Sequence, residues 1–172
     1  MKKALGSWSG MRKYLEQEML ADCLRGRVRY NCTRYVGMDD CHIFEIFVDG
    51  KLVKQFSWET VNSWFLRQGM TEIKNPYGIR EYWAEFWKLL DAVPMSERTE
   101  YTDGEFSRAL EAYRNQKIGQ SLSSDDPLVR MLAVLDRRVA KRTLEKLDPS
   151  AQPEWLARFY ALRLEAESVK SN

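Results

Sequence analysis

The residues best able to carry out chemistry in this chain are one histidine and three cysteines. Cys23, Cys32 and Cys41 lie nine residues apart, and His42 follows the last of them. Zinc knuckles space their cysteines about two to four residues apart, so this spacing does not favour a metal site. Neighbouring side chains on a strand point to opposite faces, so Cys41 and His42 are not expected to work as nucleophile and base. We expect the thiols to be buried as small apolar groups.

Other chemical motifs are missing from the sequence. It contains no glycine-rich phosphate loop, no nucleophile elbow and no zinc-protease helix. An enzyme would need an unfamiliar constellation around the predicted sheet, built from Tyr30, His42 and Glu45, and no group that would orient such a base can be identified. The sequence therefore predicts neither an enzyme nor a bound cofactor or metal.

Basic residues form two candidate surfaces for a polyanion. One is a cluster around the first predicted strand, made of Arg25, Arg27, Arg29 and Arg34. The other is a ridge along a predicted long helix, where residues seven and eleven positions apart share a face. The ridge consists of Arg130, Arg137, Arg138, Lys141 and Arg142. A solvated helix face, balanced by Glu97, Glu100 and Glu105 of the preceding segment, is the simpler interpretation of the ridge.

Aromatic residues are concentrated in the middle of the chain. Four of the six tryptophans lie between Ser57 and Leu90. Tryptophan and tyrosine are enriched in protein interfaces, which makes Trp58 and Trp64 candidates for a binding surface. Aromatic side chains at helical spacing also occur in helix cores, and that alternative stays open.

The elements that must position these residues begin with a helix over residues 10–24, started by Ser9. Period-two alternation predicts strands over residues 28–32, 41–48 and 51–56. The last two are joined by Asp49-Gly50, a sequence typical of a type I′ turn, and another turn is expected near residues 37–40.

From Ser57 onwards the apolar period becomes helical. Ser57 caps a short helix, and Asn75-Pro76 is expected to start the next one. Thr102 and Glu105 form a capping box. Asp126-Pro127 opens the long helix, whose apolar stripe drifts after residue 139 and indicates a bend before the helix ends at residue 147. A last helix begins near residue 153 and carries two apolar sides.

The fold class that we expect is α+β: an N-terminal helix and a three-stranded antiparallel sheet packed against a C-terminal helical bundle. The length predicts a single domain over residues 1–172, with possible subdomains over residues 1–70 and 71–172.

Composition restricts the compartment and the partners. Lys and Arg number 27 and Asp and Glu 25, for a net charge of +2, which is too even to indicate a polyanion binder. No apolar stretch long enough for a signal peptide or a membrane span is present. An odd number of cysteines is typical of a reducing compartment, so we expect a cytoplasmic protein with no membrane partner.

Three short segments carry a resemblance. Residues 26–30 (GRVRY), 135–144 (LDRRVAKRTL) and 155–160 (WLARFY) are similar to recurring segments of a family of small bacterial cytosolic proteins of unassigned function. The resemblance implies a bacterial cytosolic protein and supplies no activity, substrate or site.

The function that the sequence favours is binding of another macromolecule, most simply a protein, because aromatic residues are plentiful and no reactive centre is recognisable. Nucleic-acid association through the basic ridge and an enzyme with an unrecognised site are the alternatives.

Overall fold

The computed structural model describes residues 6–34, 41–75 and 78–170. The strands are β1 (Val28–Arg34), β2 (His42–Val48) and β3 (Lys51–Phe56). The helices of the described residues are α1 (Trp8–Lys13), α2 (Trp58–Arg67), α3 (Arg80–Ala92), α4 (Asp103–Asn115), α5 (Ile118–Leu122), α6 (Pro127–Leu135), α7 (Lys141–Leu144) and α8 (Glu154–Lys170). This is the expected α+β arrangement of an N-terminal helix, an antiparallel sheet and a helical C-terminal region.

The sheet is antiparallel, with the strands in the order β1-β2-β3. Asp49 and Gly50 both have positive φ, 51° and 78°, which confirms the predicted turn between β2 and β3. Tyr30 lies opposite Ile46, and Ile46 lies opposite Lys54, so these three side chains share the face that packs on the helices. The predicted turn near residues 37–40 lies outside the described residues.

The N-terminal helix is shorter than predicted. Ser7, not Ser9, accepts the hydrogen bond that caps α1, and α1 continues as a π-helical segment, Tyr14–Met19. At Leu20 the chain becomes extended and forms an isolated bridge with Asp136. Tertiary pairing therefore ends the helix before residue 24.

The long helix predicted from residue 127 is wrong in its middle. Helix α6 ends at Leu135, Asp136 is extended, and α7 starts only at Lys141. The freed backbone pairs elsewhere: the amide of Ala21 donates to the carbonyl of Leu135 at 2.9 Å, and that of Arg137 donates to the carbonyl of Met19 at 2.7 Å. The predicted bend is thus a complete break that joins the N-terminal segment to the helical region.

A buried arginine satisfies the carbonyl groups at this break. Arg163 of α8 is 2% exposed, and its guanidinium donates to the carbonyls of Val134, Asp136 and Val139 at 2.7–2.9 Å. Its Nε donates to Glu167 at 2.9 Å. The buried Asp136 carboxylate accepts from Arg138 and from the hydroxyl of Tyr113, so the polar groups of this region are paired with one another.

The helix signals of the sequence are confirmed in most cases. Ser57 caps α2, Thr102 and Glu105 form the capping box of α4, and Asp126 caps α6 with Pro127 in its first turn. The exception is the expected helix start at Asn75-Pro76: Pro76 lies outside the described residues, and α3 begins at Arg80. In the described part of the chain, no helix has the length and hydropathy needed to cross a membrane.

Buried apolar side chains form two separate clusters. The larger one joins the N-terminal segment, the inner face of the sheet, and helices α4, α6 and α8. The smaller one, rich in aromatic rings, lies within residues 58–93, and we call this helix pair the aromatic arm. Its buried members are Trp58, Val61, Trp64, Phe65, Tyr82, Phe86, Leu90 and Val93. The arm extends across position 70, where the sequence suggests a boundary between subdomains.

Buried tyrosines predict how the protein responds to alkali. Burial raises the pKa of all six tyrosines in the described residues: Tyr14, Tyr30, Tyr82, Tyr101, Tyr113 and Tyr160. The folded state holds these protons more tightly than the unfolded state, so the stability they contribute is complete below pH ~10 and is lost as the pH rises. Each deeply buried phenol then lowers the free energy of unfolding by about 1.4 kcal/mol per pH unit.

We therefore expect phenolate absorbance to appear together with loss of circular dichroism, in one transition above pH ~10. Tyr35 and Tyr77 lie outside the described residues. Both are replaced by Phe in this experiment, so that only the six described tyrosines contribute to the phenolate absorbance. Phenolate absorbance that rises while the helical signal stays intact would contradict the prediction.

Candidate functional site

An apolar groove lies between strand β3 and helix α8. It encloses about 330 Å³, at the lower end of the roughly 300–1,000 Å³ typical of ligand sites. A groove of this size suits one or two side chains of a larger ligand. Six of its eight lining residues are apolar, and the two charged ones are both cations. The lining consists of Val48, Leu52, Val53, Lys54, Trp155, Arg158, Phe159 and Leu162.

One face of α8 supplies half of this lining. Trp155, Arg158, Phe159 and Leu162 follow the i, i+3, i+4, i+7 spacing of a single helix face. The two apolar sides predicted for this helix are both used, because Leu156 and Tyr160 are buried in the larger core while Trp155 and Leu162 line the groove. Val169, near the end of the same helix, is 73% exposed.

A β-bulge in β3 shapes the opposite wall. Lys54 pairs with Ile46 and Leu52 pairs with Phe47, so Val53 is an extra residue without a partner on β2. A bulge turns neighbouring side chains away from strict alternation. Leu52 and Val53 are 48% and 46% exposed, and both line the groove.

Lys54 forms a cationic wall of the groove and is 7% exposed. Its Nζ lies 4.7 Å from the ring centre of Trp155 and 5.4 Å from that of Tyr101, where the faces of the rings attract a cation. The ammonium donates to the carbonyl of Thr99 and lies 3.8 Å from Glu100. Burial lowers the pKa of Lys54, and the negative charge of Glu100 opposes that shift.

The segment that receives Lys54 is anchored by a buried ion pair. The guanidinium of Arg98 contacts the carboxylate of Glu105, and their side chains are 2% and 5% exposed. Arg98 also donates to the carbonyls of Val93 and Glu100. The same glutamate accepts from the amide of Thr102 at 2.9 Å, so one carboxylate holds both the start of α4 and the turn beside β3.

A second, larger cleft is polar and already satisfied. It encloses about 630 Å³ between the N-terminal helical segment and β1. Glu16 at its wall accepts from Arg12 and from the amide of Tyr30, and Arg25 donates to the carbonyl of Gln17 and pairs with Asp22. Glu16 and Arg25 are therefore bound to neighbouring groups, and among the described residues Arg29 is the one charged lining residue left exposed without such a contact, which makes this cleft a weaker candidate than the apolar groove.

Comparison with known proteins supplies a family. The sequence profile of the SF0329 protein family matches residues 7–164. The chain belongs to this family. No curated protein and no solved structure matches it significantly. The SF0329 family has no assigned function, which agrees with the family that the three sequence segments resemble.

The segments behind that resemblance occupy structural positions in this SF0329 family member. Residues 135–144 run from the end of α6 through the break at residues 136–140 and include α7, and residues 26–30 lead into and begin β1. Residues 155–160 form the start of α8 and supply three of the groove's lining residues.

The predicted basic ridge is not formed, because the helix that would align it is broken at Asp136. Arg130 lies on α6, where it binds Gln152 and the carbonyl of Ser124. The guanidinium of Arg138 forms an ion pair with the Asp136 carboxylate. Of the remaining three members, Arg137 lies within the break, and Lys141 and Arg142 lie on α7, so none of them continues α6. Two of the glutamates expected to balance the ridge, Glu100 and Glu105, pair with other cations.

The basic cluster around β1 does not form one free surface either, because some of its members are paired with nearby carboxylates. Arg25 pairs with Asp22, and Arg27 makes two hydrogen bonds to the Asp49 carboxylate at 2.8–3.0 Å. Arg29 is exposed on the strand, and the side chain of Arg34 lies outside the described residues. Local ion pairs therefore account for the members next to the hairpin.

Trp58 and Trp64, the aromatic candidates, are core residues. They are 4% and 9% exposed and belong to the aromatic arm, where Trp58 lies edge-to-face against Trp83. The exposed ring of this region is Trp87, which is half exposed on α3. Neither predicted tryptophan is available to a partner in this fold.

The residues considered for catalysis are not brought together. Tyr30 is buried on the inner face of the sheet, and burial raises the pKa of its phenol. Glu45 lies on the outer face, where Asn31 donates to it at 2.8 Å. His42 is on the inner side and stacks on Phe44. Opposite faces of a sheet cannot form one reaction centre.

The three cysteines are not joined in a disulfide and are half-buried, so the expected burial of the thiols is met in part. Cys23 donates to Glu167 at 3.3 Å, and burial raises the pKa of the Cys23 and Cys32 thiols. In the parts of the chain that the structure describes, no group of three or more His, Cys, Asp or Glu side chains could hold a metal ion.

Two buried cations were not predicted from the sequence: Lys54 at the groove and Arg163 at the helix break. A signal for Lys54 exists: strand alternation places it on the same face as Phe56. Arg163 lies among the apolar positions of α8, between Leu162 and Leu164. A cation at a core position of an amphipathic pattern indicates a buried partner.

Proposed function

We propose that this protein is a cytosolic binding protein that takes an extended segment of a partner protein into the groove between β3 and α8. The partner segment carries aliphatic side chains for the apolar lining and an acidic residue for the cationic rim. The proposal also places the protein in bacteria, in keeping with the sequence resemblance.

The observation that carries this proposal is the exposed apolar surface of the groove. Leu52 and Val53 are each nearly half exposed, and they stand opposite the apolar face of α8. A concave apolar surface that remains open to solvent gains free energy when another apolar surface covers it, at about 25 cal/mol for each Å² removed from water.

Charge complementarity selects an acidic partner. Both charged side chains in the lining, Lys54 and Arg158, are cations. Arg158 pairs with Glu154, but both side chains are more than three-quarters exposed, so a partner carboxylate can compete for the guanidinium at small cost. Lys51, exposed at the start of β3, adds to the positive rim.

Two features of the chain support a cytosolic location and a non-enzymatic role: the state of its thiols and the arrangement of the charged groups at the groove. A thiol set that is odd in number and contains no disulfide suits a reducing compartment. The charged groups at the groove, Lys54 and Arg158, bind their own neighbours instead of converging on a point in space, as a catalytic centre requires.

A random peptide library displayed on phage tests the proposal. We expect the wild-type protein to enrich peptides that combine aliphatic and acidic residues. Leu52→Glu places a carboxylate in the apolar wall. The affinity for these peptides should fall by about tenfold or more, because an aliphatic contact worth roughly 1.5–3 kcal/mol is lost. Isothermal titration with one enriched peptide measures the change.

Val169→Glu is the matched control. It makes the same kind of substitution at an apolar residue that is exposed on α8 and outside the groove lining, so peptide affinity should not change. Arg158→Glu should reduce the affinity for acidic peptides only. Selection without any enrichment, or equal binding by the Leu52→Glu protein, would remove the groove as the binding site.

A further inference from the structure

The edges of the sheet differ in how they are covered. A three-stranded sheet has two edge strands, here β1 and β3, and each presents backbone N–H and C=O groups that its single neighbour does not use. Such groups pair with other parts of the protein, with water, or with the backbone of a partner. A stretch of edge strand whose backbone groups have no partner within the protein is open to another chain.

The β1 edge is covered by a side chain from the N-terminal helical segment. The amide of Tyr30, in the first half of β1, donates to the Glu16 carboxylate at 2.7 Å. Arg12 holds that carboxylate in place at 3.2 Å. A carboxylate at this point occupies the position that the carbonyl of an added strand would need.

The second half of β3 is covered by the chain that follows the aromatic arm. Phe56 forms a parallel bridge with Tyr101, and the amide of Ser57 donates to the carbonyl of Tyr101 at 3.1 Å. Lys54 reaches across to the carbonyl of Thr99. This short segment therefore acts as a fourth strand for the last residues of β3.

The first half of β3 has no such cover. Within the described residues, the backbone of positions 51–53 makes no hydrogen bond beyond its ladder with β2. Val53 lacks a partner on β2 as well, because it is the bulge residue. This open stretch is the wall of the groove that faces α8, so unpaired backbone and apolar lining belong to the same surface.

We infer that the partner segment binds by β-strand addition to the open half of β3, in line with the segment at residues 99–101. This inference rests on the function proposed above and specifies how the groove is filled. Backbone pairing with residues 51–53 holds the segment extended, and alternate side chains enter the groove against Phe159 and Leu162. An acidic residue at the edge of the segment reaches Arg158 or Lys51.

N-methyl scanning of a peptide enriched by the library tests the pairing. In an added strand every second amide donates to β3, so methylation at alternate positions should weaken binding by about tenfold or more, and methylation at the intervening positions should not. The intervening positions serve as the internal control. Hydrogen exchange supplies a second readout: the amides at residues 51–53 that point away from β2 should exchange about tenfold or more slowly in the complex.

The outcomes separate the two proposals. Alternating sensitivity together with protection at residues 51–53 supports strand addition. A peptide that binds, loses affinity in the Leu52→Glu protein and tolerates every methyl group shows groove binding without strand addition. A library that enriches nothing overturns the proposed function itself. Dimerisation of the protein through two β3 edges, detected by light scattering and abolished by Leu52→Glu, would overturn the inference in favour of a second copy.

Discussion

Replacing Arg163 by Met lowers the free energy of unfolding by about 3–5 kcal/mol, which is a large part of the 5–15 kcal/mol typical of a folded domain. The guanidinium fills the gap left by the break between α6 and α7, where it donates to three backbone carbonyls. Met fills most of the volume but donates nothing. Three buried carbonyl groups and the Glu167 carboxylate then each lose the donor that Arg163 supplies.

Chemical denaturation followed by circular dichroism measures this loss. Arg158→Met is the matched control, because it removes an exposed arginine from the same helix and should change stability by less than about 0.5 kcal/mol. Arg163→Lys keeps the charge, but a single ammonium cannot reach three separate carbonyls, so it should recover only part of the loss. An Arg163→Met protein as stable as the wild type would show that the break has another anchor.

Replacing Glu105 by Ala is expected to cost about 3–5 kcal/mol, for a different reason. The substitution leaves the Arg98 guanidinium, 2% exposed, without its carboxylate. It also removes the acceptor for the amide of Thr102, so α4 loses half of its capping box. Because Arg98 holds the segment beside β3, the groove should loosen as well.

A double-mutant cycle measures the pair itself. Arg98→Met combined with Glu105→Ala removes both charges, and the double variant should be more stable than the sum of the two single losses implies, with a coupling of about 1–3 kcal/mol. Glu111→Ala, an exposed glutamate of the same helix, is the control. Additive losses would mean that the two side chains do not stabilise each other.

Local chemistry made much of the fold predictable from the sequence. Asp49-Gly50 specifies its turn because both residues tolerate positive φ, and Thr102 with Glu105 specifies a helix start because the two satisfy each other within four residues. Asp126-Pro127 works in the same way. Each of these signals is complete within a few neighbouring residues, so no distant contact can easily override it.

The incorrect predictions depend on contacts between distant parts of the chain. Residues 127–147 have a helical pattern, but Arg163 stabilises the interruption from 27 residues beyond Asp136, and the amide of Arg137 pairs with Met19. The N-terminal helix ends early for the same reason. The basic ridge was predicted on this continuous helix, so the break in the helix also removes the ridge.

The candidate site was less predictable than the fold. Its walls come from positions about 100 residues apart, and the bulge at Val53 that opens the groove has no marker such as glycine in the sequence. The sequence did indicate that α8 has two apolar sides, which is the part of the site that a single element determines. Trp58 and Trp64 both lie on α2, and the aromatic arm buries them instead of presenting them to a partner.

The two ends of the aromatic arm have a consequence for engineering. The chain leaves the body of the protein at Ser57 and returns at Tyr101, and a single hydrogen bond of 3.1 Å joins these two points. The arm has its own interior, separate from the main core. A segment with adjoining ends and an independent interior can be exchanged for another module or a short linker. The exchanged part is residues 58–92, because the carbonyls of Val93 and Met95 accept from Arg98 and Tyr101 beside the groove.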